Sequence, residues 1–164
     1  MQSIGRMSDF YKLLSVGVVA LFLVGCASQA AVEEQTAGAA IPGSAEDLRQ
    51  NVGDRVFFEF DSYALSPASQ ATLERQAEWL KTYSSVKVVI EGHADERGTR
   101  EYNLALGARR ANSAKNYLVS LGIPSNRIET ISYGKERPAE LGSNEAAWAQ
   151  NRRSVTVVTS GASS

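Results

Sequence analysis

The chain has 164 residues, a formal net charge of −1 and hydrophobic side chains at 43% of positions. That is enough apolar material for one ordinary core, and too balanced a charge for a nucleic-acid binder, which needs clustered Lys and Arg. A single Cys, Cys26, and a single His, His93, exclude an intramolecular disulfide and a Cys/His zinc site built from one chain.

Arg6 and Lys12 lead into an apolar run from Leu13 to Val24. The run is shorter than the roughly 20 residues of a membrane span, and a charged start before a short apolar run is the layout of a secretory signal. Its end, Leu23-Val24-Gly25-Cys26, resembles the bacterial lipobox. That resemblance implies cleavage before Cys26, diacylglycerol on the thiol and a further acyl chain on the new amino terminus. Several acyl chains make a stable anchor in a membrane. Ala27 and Ser28 follow where lipoproteins retained in the inner membrane typically carry Asp, so the implied address is the outer membrane. Residues 1–25 are therefore read as a lipoprotein signal peptide. Residues 26–53 are read as the lipidated Cys and a flexible linker, since Ala27 to Ala45 lacks aromatics and any period. The folded domain is expected over 54–159, with a polar tail at 160–164.

Arg55 to Phe60 predicts a first strand, with Val56, Phe58 and Phe60 on one face, ending at Asp61-Ser62. Ser66-Pro67 is a helix start, and the helix runs to about Tyr83 with Leu73, Ala77 and Leu80 inward. Val86 to Glu91 is a second strand, and His93 to Gly98 a polar loop. Thr99 caps a second helix that ends at Gly122 and Pro124, with Leu104, Ala111, Ala114, Leu118 and Leu121 as its buried stripe. Ile128 to Tyr133 is a third strand and Gly134 to Gly142 a loop. Glu145 to Asn151 is a helical turn, and Ser154 to Thr159 the last strand. The fold class is α+β, in the order β-α-β-α-β-β, with a mixed sheet and helices packed on one face.

Asp61 and Asp95 fall at strand ends and can meet at one edge of the sheet. On the second helix Asn103, Leu106 and Arg110 share a face, separate from the Leu104 stripe, so Arg110 is expected to point towards a groove beside the loop. An acid on a loop and an Arg on a helix suit a zwitterion: the guanidinium fork grips a carboxylate and the acid an ammonium. The same two residues also suit a plain structural ion pair, and residue types alone do not decide between them. Without ligand, Asp95 and Arg110 are expected to pair with each other. The acidic residues offer only weak candidates for a glycosidase pair, and Gly92 to Gly98 has no phosphate-loop spacing.

Ile90 to Thr99 (IEGHADERGT), Glu101 to Gly107 (EYNLALG) and Arg109-Arg110-Ala111 closely resemble the OmpA-like carboxy-terminal domain family, in particular its lipid-anchored members. Phe58 to Ser62, Ser132 to Glu136 and Ala147 to Arg153 support the match. The resemblance implies an OmpA-like β-α-β-α-β-β fold and non-covalent binding of meso-diaminopimelate in the stem peptides of peptidoglycan. It carries over Asp95 and Arg110 as the residues that hold that group, with Phe60, Asp61 and Ser62 from the first strand end and Asn103 and Leu106 from the helix. Arg100 and Ala108 depart from the usual Pro and Glu. The implied partners are peptidoglycan, outer-membrane lipid through the acyl chains, and the periplasmic propeller protein TolB of the Tol system. No cofactor is implied. The chain is expected to be a non-enzymatic tether within the Tol system, supporting envelope integrity and constriction at division. The rival reading is a lipid-anchored cell-wall hydrolase.

Overall fold

A computed structural model describes residues 40–163. The expected signal peptide, Cys26 and the linker as far as residue 39 lie outside the described residues. In chain order the elements are α1 (Ala45–Asp47), continued as a wider helical turn over Leu48–Val52, then β1 (Arg55–Phe57), α2 (Pro67–Thr82) and β2 (Lys87–His93). There follow α3 (Arg100–Ser120), a short turn over Ser125–Arg127, β3 (Ile128–Gly134), α4 (Glu145–Asn151) and β4 (Arg153–Ser160).

Local chemistry sets the helix starts. The Ser66, Thr99 and Asn144 side chains each accept a hydrogen bond from the backbone N–H three residues on, at 3.2, 3.2 and 3.0 Å. Each satisfies one of the unpaired N–H groups of a first turn. At Arg100 the helix start is held by the Thr99 cap, and Arg100 Nε reaches Glu136 at 3.2 Å. At the other end of α2, Arg127 donates to the carbonyls of Leu80, Tyr83 and Val86, each at 2.9 Å.

The sheet order is β1-β4-β2-β3, so the last strand is an inner one. β4 runs antiparallel to both β1 and β2, and β2 runs parallel to β3, joined by α3. The sheet is mixed, as expected. Val88, Ile90 and Ile128 point under the helices and are buried with Leu73, Ala77, Leu80, Ala111, Ala114 and Leu118. Phe57, Ile131 and Val157 lie on the uncovered face and stay exposed.

Three expectations need correction. The linker was placed up to Gly53, but Ala45–Val52 is folded onto the domain. Leu48 is 1% exposed, and Asp47 accepts from Trp79 Nε1, Asn51 Nδ2 and the Gly43 backbone, each at 2.8 Å. Phe60 does not share the buried face of Val56 and Phe58. The strand ends at Phe57, and the turn that follows leaves Phe60 60% exposed. Leu104 is not in the buried stripe of α3; it is 49% exposed, and Leu106 takes the inner position. Asn103, Leu106, Arg110, Ala111, Ala114 and Leu118 form one continuous buried face, so the face that carries Arg110 is the core face itself.

Two glycines allow α3 to lie against the sheet. A Cβ at Gly92 would collide with the Gly107 carbonyl, and a Cβ at Gly107 would collide with Ser132 Oγ, which itself donates to Leu104 O at 2.6 Å. The Gly107 carbonyl is backbone and cannot step aside, and Ser132 Oγ could turn away only by giving up its hydrogen bond. Gly92→Ala is expected to lower stability by about 1–3 kcal/mol or more through overpacking. Urea unfolding checks this, and an unchanged midpoint would show that α3 has room to retreat.

Candidate functional site

The site is built around Arg110, whose side chain is fully buried beneath α3. Nε donates to Ser62 O at 2.8 Å, one terminal nitrogen to His93 O at 2.8 Å and the other to Glu59 O at 3.1 Å. Three backbone carbonyls from two different segments thus converge on one guanidinium. Its Cζ also lies 5.2 Å from the centre of the Phe58 ring. Burial pulls the Arg110 pKa down to about 10, partly opposed by the charge of Asp95. The group remains a cation at neutral pH. An Arg has five N–H donors, so two remain beyond the three committed to carbonyls.

Above Arg110 opens a cleft of about 170 Å³. Asp61, Asp95, Asn103, Leu106 and Arg110 all line it, and Phe60 stands at its rim. Six of the seven domain residues expected at the site are therefore brought together. Ser62 is not at the cleft wall; its carbonyl holds Arg110 and its Oγ accepts from Ala64 N at 3.1 Å. Asn103 is 2% exposed, and its Nδ2 donates to Arg97 O at 2.8 Å, which ties α3 to the loop after β2. Asp61 has φ 53°, the left-handed region, which Asp tolerates better than most residues. The turn aims its carboxylate at Tyr102, whose hydroxyl donates to Asp61 Oδ1.

The expected Asp95–Arg110 pair does not form. Asp95 is instead gripped by Arg97: the Arg97 backbone N and Nε donate to Oδ1 at 3.1 and 3.2 Å, and a terminal nitrogen donates to Oδ2 at 2.6 Å. Arg152, nearly buried, stands 3.6 Å from Oδ2 on the other side. Burial alone would raise the Asp95 pKa. The hydrogen bonds from Arg97, with the charges of Arg97 and Arg152, outweigh it and hold the carboxyl below its ordinary value. Arg97 and Arg152 are neighbours of Asp95 that the sequence alone did not bring to the cleft. The signal for Arg97 was its place two residues after an Asp in a polar loop, where an Asp side chain readily accepts from the backbone N–H two residues on. Arg152 gave no local signal.

The cleft therefore presents an ionised acid and a buried guanidinium beside the apolar surfaces of Leu106 and Phe60. This suits an amino-acid head group with both charges. Among the described residues, no group of three or more His, Cys, Asp or Glu could hold a metal ion.

A four-stranded mixed sheet with two long helices on one face, and a cleft at the ends of β1 and β2, defines an α+β domain of the OmpA type. The chain belongs to the OmpA family, whose model matches residues 57–152. The peptidoglycan-associated lipoprotein of Rhizobium meliloti strain 1021 is 52% identical, over 96% of this chain and 91% of its own length. That of Mesorhizobium japonicum is 53% identical over 90% of each chain. The crystal structure of the peptidoglycan-associated lipoprotein from Burkholderia pseudomallei superposes with a TM-score of 0.65 at 42% identity, covering 68% of this chain and 96% of that one.

His93 supplies one of the carbonyls on Arg110 while its ring is 1% exposed, packed against Tyr133 with centroids 5.6 Å apart. Burial, with the charges of Arg153, Arg137 and Arg55, lowers its pKa from 6.5 to about 4. Glu91 Oε2, at 3.6 Å from Nε2, does not compensate. On acidification the unfolded chain takes up this proton first. Stability is therefore expected to be complete above about pH 6.5 and to fall as the pH drops towards 4. His93→Phe should remove the part of that slope between pH 6.5 and 4. Urea midpoints at several pH values check it, and parallel slopes in both proteins would contradict it.

Proposed function

We propose that this chain is an outer-membrane lipoprotein that binds peptidoglycan without covalent linkage and ties the outer membrane to the cell wall. The ligand group is meso-diaminopimelate of the stem peptide. The observation that carries this reading is the convergence of Asp95 and Arg110 on one cleft, in a chain whose relatives are named peptidoglycan-associated lipoproteins. Asp95 takes the ammonium of the ligand. The uncommitted donors of Arg110 take its carboxylate, and Asn103, Leu106, Phe60 and Asp61 shape the walls. Ser62 acts through its carbonyl, as a positioning residue for Arg110.

The anchor is acylated Cys26, which places the domain in the periplasm. By family resemblance the reading also includes TolB as a second partner, and a role in the Tol system that supports envelope integrity and constriction of the outer membrane at division. The hydrolase reading is less well supported. A general acid must keep its proton near neutral pH, and Asp95 is shifted the other way.

Stem peptides with lysine in place of diaminopimelate lack the second carboxylate. Losing a charge-assisted hydrogen bond to Arg110 is expected to weaken binding by about 1.5–3 kcal/mol, roughly ten- to a hundredfold. Calorimetric titration with the two muropeptides tests this, and equal affinities would remove Arg110 from the ligand. For the anchor, mass spectrometry of the mature amino terminus is expected to find an acylated Cys26. An unmodified thiol there would end the lipoprotein reading while leaving the cleft untouched.

A further inference from the structure

The ammonium of the proposed ligand needs Asp95, and in this structure Asp95 already holds a cation. Arg97 covers it with two side-chain hydrogen bonds, 2.6 Å to Oδ2 and 3.2 Å to Oδ1. The guanidinium lies over two rings, its Cζ 4.1 Å from the centre of Phe60 and 4.0 Å from that of Trp148. Asp95 is 5% exposed beneath, whereas the Arg97 side chain is 31% exposed at the rim. Arg97 is thus the outer, removable member of the pair.

We propose that Arg97 is a built-in stand-in for the ligand ammonium: binding exchanges one cation for the other on Asp95, and Arg97 thereby sets affinity and selectivity in the cleft. The inference rests on the reading of the cleft as a site for an amino-acid zwitterion. Three features fit an exchange better than a fixed wall. First, Asp95 does not lose its last positive neighbour when Arg97 leaves. Arg152 stays 3.6 Å away, held by Phe58 O at 3.0 Å and Glu145 at 2.7 Å. Second, Arg97 has somewhere to go, since Glu145 Oε2 is 3.9 Å from its other terminal nitrogen. Third, the loop backbone need not move. Asn103 holds Arg97 O at 2.8 Å, and Lys135 Nζ holds Gly98 O at 2.7 Å. The exchange is therefore a rotation of one long side chain. It also filters ligands: a group with a carboxylate but no ammonium cannot replace Arg97 on Asp95.

The test uses the full chain in mild detergent and a muropeptide whose stem ends in meso-diaminopimelate. Arg97→Gln removes the competing cation and is expected to bind that muropeptide more tightly, by a factor of about 2 to 5, the worth of a partly exposed ion pair. Arg97→Lys, which lacks the planar guanidinium, should also tighten binding, by a smaller factor. Tryptophan emission gives a second readout. Muropeptide should change the emission of Trp148 in the wild type as Arg97 leaves its ring, and that change should be absent in Arg97→Gln. Equal or weaker binding by Arg97→Gln, or an unaltered emission change, overturns the exchange. If Asp95→Asn binds as well as the wild type, it is the reading of the cleft that fails instead.

Discussion

Everything at the candidate site depends on one buried cation. A guanidinium removed from water is costly unless its donors are met, and Arg110 meets the cost with carbonyls from Glu59, Ser62 and His93. Those carbonyls belong to the turn after β1 and to the end of β2, so the same hydrogen bonds fix the two loops that form the cleft. They reach Arg110 only because α3 lies unusually close to β2, and that approach requires Gly92 and Gly107 to lack side chains. The order of dependence is clear. Two glycines set the helix height, the helix height sets the guanidinium, and the guanidinium sets the loops.

On this base the cleft keeps a near balance of charge. Asp95 sits between Arg97 and Arg152, and Glu145 lies beyond both of them. Arg110 is below, with Asp61 across the opening and held by Tyr102. A site of this kind favours a ligand that brings both signs. A simple anion would meet Asp95 and Asp61, and a simple cation would meet three guanidinium groups. Packing tightens the discrimination, because the low polarity around Leu106 and the buried end of Asn103 strengthens each charge contact that a ligand makes.

Much of the fold was legible because its signals are local. Ser66 and Thr99 mark helix starts by their own side chains, and Gly122 with Pro124 ends α3 within a few residues. The alternation in Val86 to Glu91 announces a strand whichever neighbours it finds. The errors arose where a residue's environment comes from far along the chain. Arg110 reads as a groove residue, off the core face, until carbonyls 48 and 51 positions away are brought to it. For that reason the first turns of the buried stripe were given to Leu104 instead of Asn103 and Leu106, while Ala111, Ala114 and Leu118 are buried as expected. Asp47 reads as linker because its partner, Trp79, lies 32 positions on, and Leu48 because the core that buries it comes later in the chain. The pairing of Asp95 failed for the opposite reason. Arg97, two residues away, competes for the acid at far lower conformational cost than a residue on another element, and burial makes the local winner strong.

The positions of the two ends of the sheet bear on tethering. The folded segment before β1 is held at the end of α2: Gly43 N reaches Asp47, Asp47 reaches Trp79, and Ser163 N returns to Gly43 O at 3.3 Å. This is the end of the sheet where β2 begins. The cleft lies where β2 finishes, at His93 to Asp95. Seven residues of strand separate the two, about 23 Å at the usual rise. For a chain held by its amino terminus, this sets the point of attachment and the ligand cleft at opposite ends of one continuous strand. Between those ends β2 is hydrogen-bonded on both sides, to β4 and β3. The strap from Gly43 to Val52 lies outside that ladder and is held by buried Leu48, the Asp47–Trp79 hydrogen bond, Arg75 Nε on Val52 O at 3.2 Å and the Ser163–Gly43 contact. The cleft, fixed by Arg110 at the far end, shares none of these contacts.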